Sequence, residues 1–178
     1  MLAQRCVDTH DYKPDPLDVT AFRDAMAHLG AAVSIVTSDG PEGRVGFTAT
    51  AICSVTDTPP TLLVCLNQSA SAHAAVLGNG QLCVNVLGEG HDQLALTFGG
   101  KTAMESRFKT AEWARSENGC PMLDGVPLAL SCRIKRTLAE GTHDILICPV
   151  EAIHVQEGQL SGLHYYGRNF HILNSERR

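Results

Sequence analysis

The chain has 178 residues, 44% of them hydrophobic and 19% charged, enough apolar material for one packed domain and too much for a disordered chain. The formal net charge is -5 and no block of Lys or Arg interrupts the sequence, so no nucleic-acid partner is expected. No apolar run reaches bilayer length and residues 1–16 lack an apolar signal core, so no membrane association is expected and the expected location is cytoplasmic.

Seven cysteines occur without a CxxC pair, and Cys53, Cys65, Cys83, Cys132 and Cys148 fall in apolar strand-like runs. They read as reduced core residues. Eight histidines show no HExxH or similar ligand pairing, so no metal site is expected.

Pro14 and Pro16 disfavour a helix at the start, so residues 1–17 read as an extended arm ahead of one domain over 18–175. Asp18 is placed to cap a helix running to Leu29, with Phe22, Met26 and Leu29 at helical spacing and Gly30 as the stop. The period then falls to two. A strand over 31–38 sets Val33 and Ile35 on one face, and a turn at 39–43 leads into a strand over 44–56. Short buried strands are expected over 61–66 and 81–87, joined by a helix over 71–77, and another helix over 91–98. Residues 99–118 look polar and irregular. Long strands follow over 128–138, 144–155 and 162–173, and Pro149 implies an edge or a bulge. Many strands, few short helices and no βαβ alternation predict a mainly β, antiparallel barrel with peripheral helices.

The strand over 44–56 is the most informative. Alternation puts Val45, Phe47, Ala49, Ala51, Cys53 and Val55 on one apolar face, and Gly46, Thr48, Thr50, Ser54 and Thr56 on the other, broken only by Ile52. A narrow row of hydroxyls beside a bare glycine suits hydrogen bonding to a flat heterocycle, though threonine also suits any exposed strand face. Ser69 and Ser71 are placed to cap the next helix, whose free N–H groups would seat an anion. Gly99-Gly100-Lys101-Thr102 offers a lysine on a glycine pair without being a Walker A loop. His143, in the turn 140–144, is either an ordinary surface residue or a hydrogen-bonding group that titrates near neutral pH.

The stretches FRDAMAHLGAAV (22–33), GFTATAICSVTDTPPTLLVCLN (46–67), LCVNVL (82–87), FGGKTAMESRF (98–108), GTHDIL (141–146) and YYGRNFH (165–171) together resemble the short-chain flavin reductase family of the FMN-binding split-barrel type. They are similar to reductase components of two-component flavin monooxygenases, in particular the 4-hydroxyphenylacetate and pyrimidine-utilisation subgroups. The resemblance implies a homodimer of split β-barrels that reduces FMN or FAD with NADH, or less favoured NADPH, and hands reduced flavin to a separate monooxygenase. An electron carrier or sensor on the same fold, without nicotinamide chemistry, is the alternative.

Carried over by position, the resemblance implies that Thr48, Ala49, Thr50, Ala51, Ile52, Cys53, Ser54 and Val55 line the flavin ring and part of the nicotinamide path. Asn67, Ser69, Ala70 and Ser71 would hold the ribityl chain and phosphate. Phe98, Lys101 and Thr102 would close the phosphate side, with Asn85 contributing from the strand end. Gly141, Thr142, His143 and Asp144 match the nicotinamide-side loop, where Thr142 replaces an acid found in many members. His143 is the expected catalytic residue, orienting the nicotinamide. Arg168 and His171 match a C-terminal flavin-side motif.

Overall fold

The computed structural model describes residues 17–158 and 161–174, so the arm expected over 1–17 lies, apart from Leu17, outside them. The first helix, α1 (Val19–Met26), starts where the sequence says it should: the Asp18 carboxylate accepts the Thr20 N–H at 3.0 Å. It ends at Met26, short of the expected Leu29, and Phe22 and Met26 on it and Leu29 just beyond it are 55%, 44% and 65% exposed.

Strands β1 (Ala31–Ala32), β2 (Ser34–Ser38), β3 (Val45–Ala49), β4 (Ile52–Asp57) and β5 (Pro60–Asn67) come next, followed by α2 (His73–Asn79), β6 (Gln81–Val86) and α3 (Asp92–Gly99). The second half runs α4 (Met104–Arg107), a 3-10 turn at Phe108–Thr110, β7 (Trp113–Arg115), β8 (Pro121–Leu123), β9 (Leu128–Arg133), β10 (Arg136–Glu140), β11 (His143–Val155), β12 (Ser161–Tyr166) and β13 (Asn169–Asn174). The main sheet is antiparallel in the order β3-β2-β6-β9-β11-β5-β4, with β10 beside β11. Its two outermost strands, β3 and β4, are joined by only Thr50 and Ala51. A link that short spans roughly 11 Å at most. The sheet must therefore curl until its edges lie side by side, which makes a barrel with one seam that no ladder closes. This is the mainly β split barrel, with short helices on its outside.

Both faces of the sheet are covered at its strands β2 and β6. Val36, Phe47, Val64, Leu82, Val84 and Leu146 fill the barrel interior. Val33, Ile35, Cys83 and Leu163 pack outward against Phe98 and Phe108. Strand β2 is thus buried along its whole length. The three-stranded sheet β1-β12-β13 and the small pair β7-β8 flank the barrel.

Four expectations are corrected. The strand over 44–56 is two strands, because the chain bends at Thr50-Ala51 and the alternation slips by one residue. Val45, Phe47 and Ala49 face the core in β3, whereas Ile52 does so in β4, leaving Cys53 and Val55 exposed. The strand over 162–173 is a hairpin turning at Gly167-Arg168, whose φ angles of 56° and 64° are both positive, as a two-residue type I′ turn requires. The strand over 128–138 is likewise two, β9 and β10. Finally, residues 99–118 are not merely a polar loop. Phe108 and Trp113 close a ring cluster with Phe98, centroids 5.1–5.5 Å apart. Pro149 sits opposite Thr61, where β11 exchanges β10 for β9 as its neighbour, next to a register shift at Val150–Ala152.

Among the described residues no helix is long and apolar enough to cross a membrane. The buried cysteines are unpaired, and burial first of all pushes the Cys83 and Cys148 thiols up to about 12. Such thiols are inert packing groups.

Candidate functional site

A cavity of about 410 Å³ opens along the unladdered seam. One wall is the end of β3 and its bend, Phe47 to Ala51. The opposite wall is the end of β5 with the turn into α2, Cys65 to Asn67 and Ser69 to Ala72, joined by His143. Phe98, Gly99, Gly100 and Arg107 form the back.

The sequence expected ten of these residues at one site, and the structure gathers them: Thr48, Ala49, Thr50, Ala51, Asn67, Ser69, Ala70, Ser71, Phe98 and His143. Others are placed elsewhere. Ile52, Cys53 and Ser54 border a separate hollow of about 580 Å³ beyond the bend, and Val55 is half exposed. Lys101 and Thr102 are exposed just past Gly100, outside the cavity lining. Gly141 and Thr142 form the exposed turn behind His143.

Asn85 does not reach the cavity at all. It is fully buried, its amide donates to the Ile35 carbonyl at 3.0 Å, and its oxygen accepts the Leu123 N–H at 2.8 Å. A strand-end asparagine here serves the core. Arg168, at the hairpin turn, pairs with Asp24 of α1, and His171 bonds the Tyr166 carbonyl at 3.1 Å; neither lines the cavity.

The row of small and hydroxyl residues on β3 also has a different use from the one expected. The ring that approaches Gly46 is the protein's own: a Cβ there would stand 2.7 Å from Phe98 Cε1. Two residues on, the Thr48 hydroxyl donates to the Ala95 carbonyl of α3 at 2.6 Å. Gly46 and Thr48 therefore dock α3 onto the strand, and only Thr50 of the row is left exposed beside the cavity.

On the opposite wall Ser69 and Ser71 do not cap α2, whose first turn follows Ala72 without a side-chain cap. The Asn67 amide oxygen instead takes the Ser69 N–H at 2.8 Å and the Ser69 hydroxyl at 2.7 Å, which fixes the turn's shape. His143 lies directly across the ladder from Asn67, and its Nδ1 is 3.0 Å from the Thr142 hydroxyl. Behind it Asp144 accepts from His73 Nε2 at 2.7 Å and from Gln68 Nε2 at 3.1 Å. The bond from His73, then that from Gln68, holds the Asp144 carboxyl below the usual carboxylate range. Gln68 N–H also donates to the Thr142 carbonyl at 3.0 Å, so turn and histidine move as one unit.

A second hollow, of about 350 Å³, shares Thr48, Thr50, Gly99 and Gly100 with the first and continues toward Leu96, Tyr165 and Phe170. Among the described residues no group of three His, Cys, Asp or Glu side chains is arranged to hold a metal ion.

The flavin reductase like domain matches residues 26–174 of this chain. The chain belongs to the flavin reductase family. It is 51% identical over 175 residues to the FMN reductase (NADH) RutF of Stutzerimonas stutzeri, covering 98% of this chain and 99% of that one. With its namesake from Ancylobacter novellus it shares 55% over 152 residues, 85% and 83% of the two chains. Among solved structures it is similar to the NADH:FAD oxidoreductase SgcE6 of Streptomyces globisporus in complex with NAD and FAD fragments, with a TM-score of 0.81 and 27% identity over 90% of this chain and 95% of that one.

One residue of this flavin reductase family chain escaped the sequence reading. Arg107 is 5% exposed and donates from Nε to Thr102 O at 3.0 Å, from Nη1 to Gly46 O and Phe98 O at 2.9 and 3.0 Å, and from Nη2 to Gly100 O at 3.0 Å. Nothing in the spacing of a lone arginine within Glu105-Ser106-Arg107-Phe108 marks it as buried. Its only signal is the apolar Phe108 beside it.

Proposed function

We propose that the protein is an NADH-dependent FMN reductase that works as a homodimer and releases reduced flavin to a separate monooxygenase. The observation that carries this reading is the seam cavity itself. Its volume falls within the range of small-ligand pockets, about 300–1,000 Å³. It offers a bent strand end on one side and a turn of hydroxyl and amide groups on the other, with an imidazole facing in. The two RutF relatives named above are NADH-dependent FMN reductases, and the two-component tryptophan halogenase reductase BorF shares the fold, with a TM-score of 0.82.

When bound, the flavin supplies a ring that accepts hydride from the dihydronicotinamide. The chain's part is to bind and orient. Thr48 to Ala51 border the ring, and the Asn67–Ser71 turn takes the ribityl and phosphate end, with Lys101 closing from outside. The shared hollow past Thr50 gives a second nucleotide room. His143, steadied by Thr142, orients the nicotinamide, so that the reacting atoms come within near-attack distance, on the order of 3–3.5 Å. The exposed patch of Phe22 and Met26 on α1 and Leu29 just after it is an apolar surface that a second copy would bury.

The deciding experiment mixes the protein with NADH and free FMN and follows the loss of reduced-nicotinamide absorbance. Loss that depends on FMN supports the reading. No loss with NADH or NADPH, and with neither FMN nor FAD, sinks it. Sedimentation of the same sample, expected at twice the chain mass, checks the dimer.

A further inference from the structure

The guanidinium of Arg107 carries five N–H donors. Four go to the carbonyls of Thr102, Gly46, Phe98 and Gly100, which leaves one on Nη2. Those carbonyls, two of them at the C-terminal end of α3, satisfy hydrogen bonds and supply partial negative charge but no full countercharge, and among the described residues no carboxylate lies within ion-pairing distance of the guanidinium. A buried and unpaired charge is expensive. Desolvation lowers the Arg107 pKa from its ordinary value, yet an arginine stays protonated throughout the working pH range. The structure therefore holds a fixed positive charge against the back of the cavity.

We propose that this charge is reserved for the ligand, with Arg107 as the residue that recognises the phosphate of the mononucleotide. The inference rests on the cavity being the flavin site. Arg107 and the Ser69–Ser71 turn border the same cavity, so a phosphate lying between them gains hydroxyl donors on one side and a countercharge on the other. The four carbonyl bonds give the cation a fixed position, so little reorganisation accompanies binding. Lys101, the one cation in the segment Phe98–Thr102 that Arg107 holds, is exposed and its charge is screened by salt.

The test compares FMN with riboflavin, which lacks only the phosphate, by quenching of flavin fluorescence. Wild type, Arg107→Lys and Arg107→Met are titrated at low and high KCl. In Arg107→Met the affinity for FMN should fall about tenfold or more while that for riboflavin changes by less than about twofold, the ratio expected from one charge-assisted hydrogen bond. Arg107→Lys should keep part of the preference. Equal losses for both flavins in Arg107→Met overturn the assignment and leave Arg107 as a support for the Phe98–Thr102 strap. Should Arg107→Met fail to fold, the wild type alone decides. A preference for FMN that survives high salt supports a buried partner, and one that vanishes points to Lys101. A wild type that takes up neither flavin overturns the flavin-site reading, and the assignment with it.

Discussion

The two walls of the cavity carry similar residues and use them in opposite ways. On the β3 side Gly46, Thr48, Phe98 and Arg107 face one another, and their space and hydrogen bonds go to docking α3, α4 and the strap between them. On the β5 side the Asn67 side chain bonds only Ser69 in its own turn, the His143 ring bonds its neighbour Thr142, and the Ser71 hydroxyl has no partner among the described residues. The lesson is that a small or hydroxyl side chain shows its purpose only once its partners are known. The first wall spends most of its groups on shaping the cavity, leaving a ligand one Arg107 N–H and the strand edge from Thr48 to Ala51, whereas the second keeps more of its polar groups open.

Substitutions should therefore separate the walls. The largest effect is expected from Phe98→Ala on the architectural side. It removes a fully buried ring from the cluster with Phe108 and Trp113 and should cost about 3–5 kcal/mol in a urea melt. Gly46→Ala comes next. Its new Cβ meets Phe98 Cε1 at 2.7 Å and the Val36 carbonyl at 3.2 Å, an overpacking of about 1–3 kcal/mol. A Gly46→Ala protein of unchanged stability but poorer flavin binding would mean that the glycine serves the ligand after all.

On the open wall, His143→Ala should leave the urea midpoint nearly unchanged. It should raise the KM for NADH roughly fivefold, about the worth of one hydrogen bond, with flavin affinity intact. A selective loss of flavin affinity would contradict the role given to this histidine.

The smallest effect is pH-dependent. The Asp144 carboxyl is held below its ordinary value by His73 and Gln68, so its contribution is complete above the ordinary carboxylate pKa and is lost as pH falls through the lower, folded value. Asp144→Asn should therefore melt below the wild type near neutral pH, and the two melting curves should converge in acid. A gap that persists unchanged at low pH would rule out the ion pair as its source.

Much of the architecture was legible in the sequence. Period-two runs covered the strands except β7 and β8, and Asp18 marked the start of the first helix, because alternation and capping are local signals; the helix ends at Met26, short of the stop expected at Gly30. The bend at Thr50-Ala51 was not, since neither residue breaks a strand and the slip of phase showed only as Ile52 on the wrong face. The turn at Gly167-Arg168 was missed because arginine at positive φ carries no sequence signature. Ten residues of the cavity lining were named in advance because the resemblance placed them together. Asn85 was misplaced for the opposite reason: a polar residue near a strand end looks the same whether it meets a ligand or knits the core. Arg107 is buried by the fold of the segment before it and by a bond to Gly46, 61 residues away, neither of which a local pattern records.

The bend at Thr50-Ala51 has a consequence for the backbone itself. Strand β3 pairs only with β2, and at Gly46 its outward N–H and carbonyl are taken by the Met104 sulfur and Arg107. Backbone polarity repeats every second residue, so the next outward pair belongs to Thr48, where the strand meets the cavity. The barrel thus lacks a rung at Thr48, beside the cavity, and a planar, amide-bearing guest lying there would meet an N–H and a carbonyl that no strand pairs.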